Sequence, residues 1–241
     1  MKLVVKKSIV IMTLLLLNNV FGQSHKIDVE PFNKVVISPH IAVTFIAGDK
    51  ESVVIESNEV SDDKLNIEVK GETLQVYLDD AKKFDKNNQS DCESKYRGTI
   101  VRATITYKSI HDISLYGDEK TVFKSKFKQE DLNISLYGDV KLYIEEVVLS
   151  NLKVVVYGDT SLEIVKGSVE QQKITCYGDS VVNMAGVENK RTKATVYGDA
   201  YAKVNVSDEL KVSAFGDANV KYLGNPEIST TVFGDATISK L

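Results

Sequence analysis

The chain has 241 residues, 43% of them hydrophobic and 27% charged, with a formal net charge of −4. That is long and apolar enough for a sizeable core, and the acidic balance argues against nucleic acid or an anionic lipid surface as partner. Two cysteines in unlike settings and three scattered histidines (His25, His40, His111) do not supply the ligands of a metal site.

Residues 1–22 read as an export signal. Lys2, Lys6 and Lys7 make a basic start, Ser8 to Leu17 an apolar run, and Val20 and Gly22 suit the −3 and −1 positions of a cleavage site after Gly22. The run is too short for a good membrane span. No cysteine follows it for lipid attachment, and no later stretch is apolar enough to cross a membrane. The plainer alternative is a buried N-terminal helix. Cleavage leaves residues 23–241, and the loss of three lysines and no acid takes the net charge from −4 to −7. The expected location is periplasmic, cell-surface or extracellular.

Residues 30–98 form a leading segment of short strands and a polar loop. Apolar and polar residues alternate through Val35-Val36-Ile37, Ile41/Val43/Phe45, Val53-Val54-Ile55, Leu65/Ile67/Val69 and Leu74/Val76/Leu78. Pro39, Gly48-Asp49, Asn58 and Gly71 break them. Ala47-Gly48-Asp49 reads as a degenerate first copy of the turn that dominates the rest of the chain. Residues 79–98, with Asp79-Asp80, Lys82-Lys83 and Asn87-Asn88, read as a polar loop, and no segment has a helical period.

Residues 99–241 carry seven copies of an aromatic-Gly-Asp turn. The aromatics are Tyr116, Tyr137, Tyr157, Tyr177, Tyr197, Phe215 and Phe233. The glycines are Gly117, Gly138, Gly158, Gly178, Gly198, Gly216 and Gly234, and the acids Asp118, Asp139, Asp159, Asp179, Asp199, Asp217 and Asp235. A fixed period near 20 residues is the signature of stacked coils. Counting from the aromatic, positions −3 and −1 are mostly aliphatic (Ile113/Leu115, Val154/Val156, Ile174/Cys176), whereas −2 is mostly Ser or Thr. Period two therefore puts −3 and −1 inside, and −2 and the aromatic outside. Each coil reads as a strand, a Gly-Asp corner, a second strand and a return segment that absorbs the extra residues of the longer copies. The fold class is all-β: a single-stranded parallel β-helix-like solenoid of about seven coils, rising about 34 Å at about 4.8 Å per coil. Cys176 occupies a core position and Cys92 a polar stretch, a poor pair for a disulfide.

Phe32-Asn33-Lys34-Val35-Val36-Ile37, Ile41 to Asp49 and the repeated strand–Gly-Asp–strand pattern together resemble the "putative auto-transporter adhesin, head GIN domain" family, over about residues 30–241. Here an aromatic precedes Gly-Asp where the family often has Ser. The resemblance implies an exported bacterial envelope protein with a β-helical fold, no catalytic residues and no cofactor.

The turn has a purely architectural explanation. Gly takes φ > 0 at the corner, Asp accepts hydrogen bonds from the backbone beyond it, and the aromatics stack. The functional reading takes the aromatic stripe, flanked by Ser/Thr and Asp rows, as a binding face for a glycan or an envelope protein. Calcium on the Asp column is a further reading, set against the nine-residue repeat of calcium β-rolls. The alternative function is a polysaccharide lyase or hydrolase. Seven equivalent aspartates and only three arginines (Arg97, Arg102, Arg191) argue against a single tuned acid pair. An apolar last coil with no evident polar cap points to self-association through that coil.

Overall fold

The computed structural model describes residues 25–81 and 95–241. Residues 1–24, with the expected export signal, and residues 82–94, including Cys92, lie outside the described residues. The leading strands are β1 (His25–Asp28), β2 (Lys34–Ile37), β3 (Ile41–Ala47), β4 (Ser52–Asn58), β5 (Leu65–Lys70), β6 (Thr73–Leu78) and β7 (Val101–Tyr107), with one 3-10 turn at Asp62–Lys64. The repeats supply β8 (Asp112–Gly117), β9 (Lys120–Phe123), β10 (Phe127–Gly138), β11 (Lys141–Tyr157), β12 (Ser161–Tyr177), β13 (Val181–Tyr197), β14 (Tyr201–Phe215), β15 (Asn219–Leu223), β16 (Glu227–Phe233) and β17 (Thr237–Lys240). They wind into a β-solenoid of about six turns, delimited by the seven Gly-Asp corners.

The register is that of the repeat. Tyr137 pairs with Tyr157, Tyr157 with Tyr177, Tyr177 with Tyr197 and Tyr197 with Phe215, all in parallel. Alternation then decides what is inside. Ile174 and Cys176 are fully buried while Lys173 and Tyr177 are exposed. Like stacks on like in the core: Leu142, Leu162, Val182, Ala202 and Val220 form one column. Each such side chain removes apolar surface from water at about 25 cal/mol per Å², and no single coil could do this alone. The extra residues of the long copies fall in the return segment, as the pairing shift between Met184 and Glu188 shows. Cys176 is a free thiol at 0% exposure, and burial pushes it above its ordinary value.

The leading segment enters the solenoid out of chain order. β2 lies between β6 and β8, with Ile37 opposite Val76 and Leu115. β3 lies between β7 and β9, with Val43 opposite Ala103 and Thr121. The wider coils at this end are filled by aromatic packing: Phe45 stacks on Phe123 at 4.2 Å, and Tyr107 sits 5.8 Å from Phe127. Beyond them the parallel ladder stops. β5 pairs antiparallel with β6, β4 with β7 and β1 with β4, so this end of the sheet is closed by antiparallel strands.

This arrangement corrects one expectation. Ala47-Gly48-Asp49 is not the first corner. It carries the chain out of β3 and around to β4, on the far side of β7. With Ile37 opposite Leu115 and Val43 opposite Thr121, the segment beneath Tyr116-Gly117-Asp118 is Ser38-Pro39-His40. A Cβ on Gly117 would lie 2.8 Å from Pro39 Cα, and His40 takes the positive φ of 71°. One coil further out, the same corner position is where the polar insertion leaves β6 and returns to β7.

Candidate functional site

The corner is held by a close approach of backbones. Gly158 has φ 105°, and a Cβ there would lie 2.7 Å from the Gly138 carbonyl oxygen. The Gly158 N–H donates to the carbonyl of Tyr177 in the next coil at 2.9 Å, and Gly178 does the same to Tyr197. Glycine is thus required twice over, for its φ and for its missing side chain.

The aromatic column is continuous. Ring centroids are 4.7 Å apart for Tyr116–Tyr137, 5.2 Å for Tyr137–Tyr157, 4.6 Å for Tyr157–Tyr177 and 5.0 Å for Tyr177–Tyr197. The stack runs on through Phe215, at 4.9 Å, to Phe233, at 5.3 Å. Interplanar angles are between 2° and 9°. The rings therefore spend their faces on one another and present edges and hydroxyls to solvent. Within the stack, the aromatic face most open to a sugar ring is the outer side of Phe233, which is 62% exposed. Desolvation, with the neighbouring tyrosines adding to it, pushes the Tyr157 hydroxyl above its ordinary value.

The Asp column departs from the sequence reading in its bonding. Asp139, Asp159, Asp179, Asp199, Asp217 and Asp235 are all exposed. Among the described residues their carboxylates make no hydrogen bond, so they do not cap the backbone beyond the corner. They form an exposed acidic edge beside the tyrosines.

Three potential ligands do meet, but elsewhere. His40, Asp118 and Glu119 bring one ligand atom each within 4.8 Å of one another. His40 Nδ1 is 2.8 Å from the Gly98 carbonyl and 3.7 Å from Glu119 Oε1, so the ring N–H is directed at the carbonyl. Burial, with Asp118 beside it, raises the Glu119 carboxyl to about 7. With Nδ1 already engaged, this is a polar junction closing the first corner. Sequence spacing hides it, because His40 and Asp118 meet only once β2 and β3 are in place.

A further column lies four residues before the aromatic. Lys153 pairs with Lys173, Lys173 with Lys193 and Lys193 with Lys211. All four are exposed. Lys211 bonds to Glu209 at 2.6 Å, whereas among the described residues Lys153, Lys173 and Lys193 make no ion pair. Beside them run Asn151, Gln171 and Arg191 on one flank and Val155, Thr175 and Thr195 on the other. Four copies of Lys-x-(Val/Thr/Ser)-x-(Tyr/Phe) therefore lie in register on one face. The signal stands in the sequence, at position −4 of consecutive repeats, and is easily missed beside Gly-Asp.

A family model matches residues 31–226, that of the "Putative auto-transporter adhesin, head GIN domain". The chain belongs to this family. Solved structures similar to this head GIN chain include a putative adhesin from Bacteroides fragilis, with a TM-score of 0.72 and 19% identity over 90% of this chain and 96% of that one. A putative adhesin from Parabacteroides merdae has a TM-score of 0.69 at 15% identity, over 90% and 95%. A protein from Parabacteroides distasonis described as a putative lipid binding protein has a TM-score of 0.63 at 19% identity, over 91% and 96%. At these identities the likeness is one of fold. No curated protein matches the chain. No helix among the described residues is long and apolar enough to cross a membrane.

Proposed function

We propose that the chain is an exported, non-catalytic, adhesin-type binding protein of the bacterial envelope, whose working surface is the outer face carrying the lysine, threonine and tyrosine columns. The observation that carries this is the in-register repetition of one set of polar groups over consecutive coils. Such a face matches a ligand that itself repeats along a line, and an extended glycan is the simplest of these. Membership of an adhesin family supports the reading. Catalysis is disfavoured because the corner aspartates are exposed and six of the seven are equivalent, Asp118 alone lying beside Glu119 and His40 at a polar junction whose His40 Nδ1 is already engaged by the Gly98 carbonyl. The tyrosines contribute hydroxyls and ring edges, so a glycan would be held by hydrogen bonds along the stripe and not by ring-on-ring stacking.

The test is a glycan array with residues 23–241, run with calcium and with chelator, beside the Tyr157→Phe/Tyr177→Phe variant. Selective binding that weakens in the variant supports the hydroxyl stripe as the site. A blank in both buffers overturns the glycan reading and leaves an envelope protein as the ligand. The last coil adds a second surface, since Ile228 and Val232 are each 39% exposed. Self-association there would appear in light scattering as a mass above that of the monomer, reduced by Ile228→Lys. A strict monomer at high concentration rejects it.

A further inference from the structure

We propose that the ligand of this face is a linear acidic polysaccharide, a uronate polymer lying along the solenoid axis with its carboxylates on the lysine column. The inference rests on the adhesin-type reading above and narrows it to one charge class.

The column is an accumulation of like charge that the fold leaves uncompensated. Lys153, Lys173, Lys193 and Lys211 occupy one register position on four consecutive coils. Arg191 lies beside them on the Gln171 flank, opposite Gln171 and Glu209 in the neighbouring coils. The nearer flanks of Lys153 and Lys173 are neutral: Asn151 and Gln171 on one side, Val155 and Thr175 on the other. The contrast with the other lysines is direct. Lys190 reaches Glu170 at 2.8 Å, Lys126 reaches Glu146 at 2.6 Å and Lys166 reaches Glu146 at 3.4 Å, each across to an acid on a neighbouring coil. Acid partners across coils are thus available to this architecture, and among the described residues none of the four members of the column has one, Lys211 bonding instead to Glu209 of its own strand. It does so in a chain whose net charge is −4.

Geometry selects the partner within the anions. Coils are spaced at about 4.7–4.9 Å, so the cations repeat at that interval along a straight line, and the matching ligand carries about one anion per comparable step along its length. A uronate polymer does this, with one carboxylate per sugar and hydroxyls on the rest of the ring. Those hydroxyls meet donors and acceptors at the same spacing: Asn151 and Gln171 on one side, Thr175 and Thr195 on the other. Asn151, Gln171 and the lysine column line a shallow groove of about 440 Å³, with one acid towards each end, Asp131 and Glu209, and the Thr175/Thr195 row outside it. Duplex DNA fits poorly. Its two strands carry charge at a denser step, and the exposed aspartate row beyond the tyrosines faces the same side as a wide ligand would.

The experiment is titration calorimetry of residues 23–241 with polygalacturonate and with its methyl ester, which has the same backbone with the carboxylates masked. Each is measured at about 0.1 M and about 1 M salt, where the screening length falls from about 10 to about 3 Å. The expected result is binding of the acid form at least tenfold tighter than the ester at the lower salt, with most of that difference gone at the higher. Lys153→Gln/Lys173→Gln/Lys193→Gln should lose the preference, and the corresponding triple Lys→Arg variant should keep it. Far-ultraviolet circular dichroism and melting of each variant show whether it is folded. Equal binding of acid and ester overturns the inference, as does retained preference in the folded Gln variant. Duplex DNA binding as tight as polygalacturonate overturns the uronate assignment. If the acid form does not bind while a neutral glycan on the array does, the charge inference falls and the adhesin-type reading stands. If neither binds, the charge inference and the glycan reading both fall, and an envelope protein is left as the ligand.

Discussion

The aromatic column makes a quantitative prediction about which pairs of residues are energetically coupled. Tyr157 touches Tyr137 and Tyr177, at 5.2 and 4.6 Å, and Tyr177 touches Tyr157 and Tyr197, at 4.6 and 5.0 Å. A stacked pair is worth about 0.5–1.5 kcal/mol. Tyr157→Ser therefore removes two pairs, about 1–3 kcal/mol, and Tyr177→Ser the same. The double variant removes three pairs and not four, because the two residues share one. It should cost less than the sum of the singles by one pair, about 0.5–1.5 kcal/mol. Tyr157→Ser with Tyr197→Ser shares no contact and removes four pairs. That double should be additive to within about 0.3–0.5 kcal/mol. The assay is equilibrium unfolding in urea, with fluorescence and circular dichroism compared to establish a single transition. Equal coupling in the two doubles, or none in either, would refute the view that the stack is held by nearest-neighbour contact. Tyr157→Phe/Tyr177→Phe keeps every stack and should change stability by less than about 0.5 kcal/mol. It therefore separates a binding role of the hydroxyls from the scaffold role of the rings.

Other consequences are open to measurement. Leu162→Ala empties a fully buried position between Leu142 and Val182 and should cost about 2–5 kcal/mol in the same urea experiment; a loss under 1 kcal/mol would mean the coil closes over the gap. Gly158→Ala must place a Cβ 2.7 Å from a backbone oxygen at φ 105° and should lower the melting temperature more than Gly71→Ala, where nothing lies within 4 Å. The Glu119 carboxyl is raised from 4.5 to about 7 in the fold, so the folded state holds its proton where the unfolded chain has released it. Its burial costs nothing below about pH 4.5 and destabilises increasingly up to about pH 7, by at most about 3 kcal/mol. Glu119→Gln should match the parent near pH 4 and exceed it in stability at pH 8. Identical pH profiles of parent and variant would contradict this.

The repeats were legible because each of their coils repeats the same local physics. Glycine with positive φ, alternation inside and outside, and a fixed period place Ile174, Cys176 and Tyr177 without any long-range information. Two things were not legible. Ser38-Pro39-His40 contains no Gly-Asp, and it becomes a corner only through pairing with residues 78 positions later, as Val35 does with Ile113. Ala47-Gly48-Asp49 has the local chemistry of the turn without the neighbours. The second is the ring orientation. Alternation says that Tyr177 points outward, but only the packing of consecutive coils sets its plane and buries its faces. The lysine column was readable in principle, since Lys153, Lys173, Lys193 and Lys211 hold the same place in consecutive repeats.

The out-of-order place of β2 and β3 bears on how the chain reaches this state. β11 to β14 each find their next neighbour within one repeat, so they can add coil by coil. β2 and β3 have their partners in β6 to β9, which are synthesised later. They must wait as unpaired strands and then take up a slot bordered on both sides. Such distant pairings carry the loop-closure cost early and the reward late, which slows folding. The oldest part of the polypeptide is thus the last to become structured. Pulsed hydrogen exchange should find the amides of β12 and β13 protected before those of β2 and β3, and the reverse order would show that the insertion is the nucleus and not the closing step.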